Sequence, residues 1–180
     1  DFDLVKAQLH VASGGRLVDR PVEQGHAIEA RLNAEDPDRD FAPSPGTITW
    51  LDFPAGPGIR VDTGVSEGDA IPADFDSMIA KIIASGRTRA EALGRLRRAL
   101  AETTVIIDGG STNKSFILEL LDRPEVTGPE GSGVEWADTG WIDRTRAAGG
   151  LLADRFSGVA LVAAAIEASE EAERLEIARL

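Results

Sequence analysis

Ile28-Glu29-Ala30-Arg31-Leu32-Asn33-Ala34 alternates without a break between apolar and polar residues. Only an extended chain sends every second side chain to the same side, so this stretch predicts a strand with one buried and one wet face. Such strands belong to antiparallel sheets covered on one side. The same geometry brings Glu29, Arg31 and Asn33 to one surface. A planar, permanently charged guanidinium suits an anionic oxygen, and a neighbouring carboxylate can orient it. Arg31 is therefore the candidate catalytic residue, with Glu29 and Asn33 beside it as substrate-binding or orienting groups. By pattern alone, the solvated face of an edge strand is the commoner explanation.

Before this strand, Leu4, Val5, Leu9, Val11 and Ala12 recur at helical spacing, and Gly14-Gly15 stands where a C-terminal cap belongs. After it, Asp36 to Gly46 holds three prolines and three aspartates and reads as an irregular loop. Thr47 to Phe53 and Ile59 to Thr63 read as two strands joined by a tight turn at Pro54-Ala55-Gly56-Pro57-Gly58. Ser77 to Ala84 is apolar on both faces apart from Lys81, as a central strand would be, and makes the fourth strand of the expected sheet. Thr88-Arg89-Ala90-Glu91 has capping-box spacing, and Leu93, Leu96 and Leu100 continue on one helical face, predicting a helix from about Thr88 to Glu102. Thr103 to Ile107 reads as a further strand, and Asn113 as the cap of a short helix closed by Pro124.

Thr127 to Gly133 has the composition of a flexible connection, so the expected division is a compact unit of residues 1–127 and a linker with helical tail, 128–180. In the tail, Val159 to Leu180 is rich in alanine, with Glu170 and Arg174 spaced for an i,i+4 pair. Strands precede helices with short turns between several of them. The fold class expected is α+β, a mostly antiparallel sheet with helices packed on it and a helical C-terminal tail.

Composition narrows the function by exclusion. The 180 residues carry 19 Lys+Arg against 31 Asp+Glu, a formal charge of −12 that repels nucleic acid. The longest apolar run, Val159 to Ile166, is too short to span a bilayer. Without cysteine there is no disulfide, thiolate zinc site or cysteine nucleophile, which fits a cytoplasmic setting. The chain begins Asp1-Phe2-Asp3, without an initiator methionine, and is expected to be cut from a larger protein.

Several other motifs have plain explanations. Asp36-Pro37-Asp38-Arg39-Asp40 starts like a calcium loop, but Phe41 stands where glycine is needed and Thr47 where the bidentate glutamate belongs. Gly128 to Gly133 lacks the Lys-Ser/Thr of a phosphate-binding loop. His10 and His26 have no metal-ligand spacing, and no metal site is expected. Lys81 interrupts an apolar run and should either be paired or reach the strand's edge.

Read as words, Gly25-His26-Ala27-Ile28-Glu29-Ala30-Arg31-Leu32-Asn33-Ala34-Glu35-Asp36-Pro37 resembles the signature opening the C-terminal domain of biotin carboxylases. The likeness continues in order through Phe41-Ala42-Pro43-Ser44-Pro45-Gly46, Gly58-Ile59-Arg60-Val61-Asp62, Phe75-Asp76-Ser77-Met78-Ile79-Ala80-Lys81, Ile107-Asp108-Gly109 and Thr112-Asn113. The resemblance implies part of an ATP-dependent ligase that joins an ATP-grasp region to this domain. Such an enzyme carboxylates N1 of biotin with ATP, Mg2+ and bicarbonate through carboxyphosphate.

In that family the arginine of this motif, here Arg31, stabilises the biotin enolate. Asp76 and Arg60 match positions close to the site or its subunit interface, and Trp141 falls near the adenine pocket. The residues Trp136 to Arg144 resemble the stretch leading out of the carboxylase in multidomain acyl-CoA carboxylases. The partners implied are biotin on a carrier domain, a carboxyltransferase domain or subunit, and further copies in an oligomer. The family's ATP-binding lysines, metal-binding glutamates, bicarbonate-receiving segment and general base have no counterpart here, so the 180-residue chain alone is expected to be inactive. Two other readings stand beside this one: a different ATP-grasp ligase, and a non-catalytic assembly module.

Overall fold

In a computed structural model, the structure describes residues 2–17, 22–128 and 133–151 together with Val162, Ala165, Ile166 and Ser169. The alternating stretch forms β1 (His26–Asn33), which pairs antiparallel with β7 (Met78–Gly86). On the far side of β7 lies β5 (Ile59–Thr63), also antiparallel, giving the order β1-β7-β5 with β7 central, as its two-sided apolar character requires. Helix α2 (Arg89–Glu102) covers one face of this sheet. Its Ala92, Leu93, Leu96, Ala99 and Leu100 are buried, and so are Ala30, Leu32, Ala80, Ile82 and Ala84 of the strands. The α+β architecture with antiparallel sheets is the one expected from the sequence.

The start of α2 is built as its spacing predicts: the Thr88 side chain accepts from the Glu91 N–H. The Glu91 carboxylate reaches back one residue further, to the Arg87 N–H at 2.7 Å. Together the two residues satisfy donors that no helical carbonyl can reach.

One sheet of four strands was expected, and the structure corrects this. β4 (Gly46–Asp52) does not pair with β5. It lies in a second sheet, β6-β4-β8, between β6 (Ala70–Ile71) and β8 (Thr104–Asp108). The segment expected to turn tightly between β4 and β5 is instead a corner between sheets. Its prolines cannot donate to a ladder, and Gly58, at φ +75°, has no room for a side chain because a Cβ would lie 2.6 Å from the Ser85 carbonyl oxygen. Burial explains the separation: Ile59 and Val61 complete the surface under α2, whereas Ile48 is buried opposite Ile107 of β8.

The loop after β1 is more ordered than expected. β2 (Glu35–Asp36) pairs with β3 (Ala42–Pro43) around a 3-10 turn at Pro37–Arg39. Asp40 and Phe41 adopt left-handed φ values of 57° and 56° at its end. Asn113 precedes α3 (Lys114–Leu120) as expected but makes no side-chain cap bond to it. Pro124 does not close that helix; it opens another, α4 (Pro124–Thr127), where its missing N–H costs nothing.

Helix α1 (Leu4–Ala12) forms over the predicted residues, capped by Asp3, but buries none of them; Leu4, Val5 and Leu9 are all more than 60% exposed. Helix α5 (Trp141–Ala147) meets the ribbon through Arg146, which donates to Asp40 Oδ1 and the Pro37 carbonyl and stacks on the Phe41 ring. In the tail, Val162, Ala165, Ile166 and Ser169 are helical, while the Glu170–Arg174 pair lies outside the described residues. Among the described residues no helix is long and apolar enough to cross a membrane.

Leu96 is fully buried between α2 and the sheet. Replacing it with alanine is expected to cost about 2–5 kcal/mol in urea unfolding, and Thr88→Ala about 1 kcal/mol through loss of the cap. A Leu96→Ala loss below about 1 kcal/mol would show that this contact is not the core.

Candidate functional site

Because α2 occupies one face of β1-β7-β5, the residues of opposite parity form an open face. Ladder register sets them in rows: Glu29, Ile83 and Arg60 across one, then Arg31, Lys81 and Asp62 across the next. Arginines and a lysine thus mingle with carboxylates on a chain that is acidic as a whole.

The Arg31 Nε donates to Glu29 Oε1 at 3.2 Å, and the two side chains are 64% and 39% exposed. Among the described residues nothing else holds the Arg31 guanidinium. Its terminal nitrogens, the pair that grips an oxyanion, therefore remain open. Arg60 differs. Its Nε and Nη2 both bind Asp62, at 2.8 and 2.7 Å, so its fork is already spent on a carboxylate. This bond to Arg60, with help from nearby Lys81, holds the Asp62 carboxyl below its ordinary value. Lys81 has its opposite charge across the ladder, which explains how it interrupts a central strand.

Beyond Arg31 the same side of the chain turns inward. Asn33 Nδ2 donates to Glu35 Oε1 at 2.8 Å, and the Ser77 hydroxyl donates to the same oxygen at 2.8 Å. Among the described residues Asn33 Oδ1 is buried and has no partner. Glu35 was not singled out from the sequence. The signal was there in part: Glu29, Arg31, Asn33 and Glu35 continue one alternation, but β1 ends at Asn33 and Glu35 stands in the next strand, so its place beside Asn33 and Ser77 depends on the tertiary fold.

Asp76 is exposed, and its Oδ1 accepts from the Met78 N–H at 3.1 Å, fixing the start of β7 opposite the end of β1. Glu29, Arg31 and Asn33 thus share one face of β1, and Asp76 lies two residues before Met78, the partner of Asn33 at the end of that strand. Trp141 is not bonded to any of them among the described residues; it opens α5, where its carbonyl accepts from Thr145. Among the described residues no group of three or more His, Cys, Asp or Glu side chains is gathered to hold a metal ion.

The family model for the biotin carboxylase C-terminal domain matches residues 29–144. The chain belongs to this family. It is 43% identical over 145 residues to the biotin-dependent acyl-coenzyme A carboxylase alpha3 subunit of Mycobacterium leprae, covering 78% of this chain and 24% of that one. Biotin carboxylase 1 of Bacillus subtilis is 48% identical over 124 residues, covering 67% of this chain and 27% of its own length. Among solved structures, the biotin carboxylase domain dimer of Hydrogenobacter thermophilus 2-oxoglutarate carboxylase, in complex with MgADP, ADP and bicarbonate, superposes with a TM-score of 0.65 at 32% identity. It covers 81% of this chain and 31% of that one. The chain therefore spans about a quarter of the length of the curated relatives it matches. The family match runs past residue 128 and into α5.

Removing the Glu35 carboxylate strands two donors in a half-buried biotin carboxylase C-terminal domain network. Glu35→Ala is expected to cost about 1–3 kcal/mol in chemical denaturation, and Glu35→Gln, which keeps an oxygen acceptor, markedly less. Equal losses for the two variants would assign the effect to charge rather than to the stranded donors.

Proposed function

We propose that this domain completes the active site of a biotin-dependent carboxylase and that Arg31 stabilises the enolate of biotin as N1 loses its proton. The observation that carries this reading is the guanidinium of Arg31, tethered through Nε alone with its terminal nitrogens open. Deprotonation of N1 moves charge onto the ureido oxygen of biotin. A cation already in place lowers the energy of that oxyanion more than that of neutral biotin, which is what accelerates the step. Glu29 keeps the guanidinium turned toward the open face, while Asn33 and Asp76 border the place where the ureido ring would sit.

Bound ATP with magnesium would supply the activation of bicarbonate to carboxyphosphate. On the family resemblance, the groups that hold magnesium and the general base are assigned to the rest of the intact protein. Trp141 is proposed at the edge of the adenine pocket, on the family resemblance alone. The biotin would arrive on a carrier domain and leave carboxylated for a carboxyltransferase domain or subunit, in an oligomeric parent. The match to a biotin-dependent acyl-coenzyme A carboxylase subunit supports this arrangement.

The test is bicarbonate- and biotin-dependent ADP release by the intact enzyme with free biotin as acceptor. Arg31→Ala is expected to lower biotin-stimulated turnover by roughly a hundred- to a thousand-fold, as loss of one oxyanion donor does, with ATP still bound. Normal stimulation in the variant would refute the role of Arg31. A wild type indifferent to biotin would refute the reading as a whole. The isolated 180-residue chain is expected to release no ADP under the same conditions.

A further inference from the structure

We propose that Asn113 is a positioning residue for Arg31, its side-chain amide standing in for a neighbouring strand on the open edge of β1. The inference rests on the enolate-stabilising role proposed for Arg31.

Among the described residues β1 is an edge strand: β7 pairs with one side of its backbone and no strand pairs with the other. Outward-pointing backbone groups on such an edge need partners if the strand is to hold one geometry. For the Arg31 carbonyl and the Asn33 peptide groups those partners come from a single residue, 82 and 80 positions away in sequence. Asn113 Oδ1 accepts from the Asn33 N–H at 3.0 Å, and Asn113 Nδ2 donates to the Arg31 carbonyl at 3.2 Å. The Asn113 backbone N–H donates to the Asn33 carbonyl at 3.1 Å. A primary amide is the one neutral side-chain group that offers a carbonyl and an N–H side by side, as a strand backbone does.

The place matters. The regular β1–β7 register breaks between Leu32 and Asn33, so one step after Arg31 the ladder ceases to dictate the backbone. The Asn113 bonds bracket that break. They are made at the expense of α3, whose N-cap residue is Asn113 and which has no side-chain cap bond as a result. Asn113 is buried, and the loop that carries it is tied down separately: the Ser111 N–H donates to Ser44 Oγ at 2.9 Å.

Arg31 is long, exposed and held at its far end by one bond to Glu29. A small rotation of its backbone is multiplied along the side chain, and a misplacement of about 1 Å at a reacting centre can cost on the order of a hundred-fold in rate. Asn113 touches no reacting group. It acts by fixing the peptide on which the guanidinium is mounted.

The experiment is a double-mutant cycle in the intact carboxylase, reading biotin-dependent kcat and the KM for ATP. Asn113→Ala is expected to lower biotin-dependent kcat roughly ten- to a hundred-fold, with the KM for ATP unchanged. In an Arg31→Ala background the same substitution is expected to cause no further loss, because the group it positions is gone. Asn113→Asp keeps the acceptor for Asn33 but turns a carboxylate oxygen on the Arg31 carbonyl, so it should lose kcat comparably and serves if the alanine variant does not fold. Equal fold-losses in the two backgrounds, or an Asn113→Asp enzyme with wild-type kcat, would overturn the proposal. Wild-type turnover by Arg31→Ala would overturn the role of Arg31 itself and this inference with it.

Discussion

The contact between α2 and the β1-β7-β5 sheet fixes everything else of functional consequence. Leu93, Leu96 and Leu100 lie against a sheet surface made largely of alanines, Ala30, Ala80 and Ala84, with Leu32 and Ile82 between them. Small residues on the strands let the large helical ones approach, which is how a packed interior reaches its density. Once that face is committed to the core, period-two geometry leaves Glu29, Arg31, Lys81, Arg60 and Asp62 no other place than the opposite side. A slip of one residue in β1 would bury Arg31 and expose Leu32. The hydrophobic contact therefore determines where the charged groups stand.

A covered sheet still has edges, and among the described residues β1, which carries Arg31, forms one of them. The chain meets that problem with pieces from far along the sequence. Ser44, Ser111 and Asn113 reach the β1–β2 junction from the loops before β4 and after β8, which meet at one end of the second sheet. This is also why the strands are out of sequential order. β4 and β8 close a second sheet beside the first, with Ile48 and Ile107 joining the same buried cluster, and the loop after β8 is delivered to the end of β1. The end of β1 has its fixed geometry only when residues 33, 35, 77 and 113 are all in place, so it is a tertiary feature rather than a strand terminus.

Periodicity made some of this readable and not the rest. β1, β7 and α2 could be drawn from the sequence because alternation, a two-sided apolar run and capping-box spacing are local signals. Which strand pairs with which is not local. The short spacer between β4 and β5 looked like a hairpin turn, and nothing in its residues announces that Ile59 and Val61 belong under α2. Asn113 was legible as a helix cap because capping is decided within a few residues, whereas its bonds to Arg31 and Asn33 depend on a fold that brings distant segments together. Glu35 stands in the strand after β1, so its place beside Asn33 and Ser77 depends on that fold too. Family membership was legible for a different reason: its words run in order from Gly25 to Asn113, and the match to residues 29–144 bears them out.

Two arginines share the open face, and resemblance alone puts both near the site. Their hydrogen bonds separate them. Arg60 forms a bidentate pair with Asp62, the geometry in which a guanidinium is most fully satisfied, and a second anion would have to compete with that carboxylate. Arg31 gives Glu29 only its Nε, in an exposed pair of the kind typically worth about 0–1 kcal/mol. A bond that weak contributes little to stability, yet it biases the side chain toward one orientation without consuming the nitrogens that an oxyanion needs. Lys81, across the ladder from Arg31, faces Asp62 on its other side and adds positive potential without offering that oxyanion a rival carboxylate. On a chain with a formal charge of −12 the net field disfavours an anion, and an open fork beside a lysine opposes that field locally.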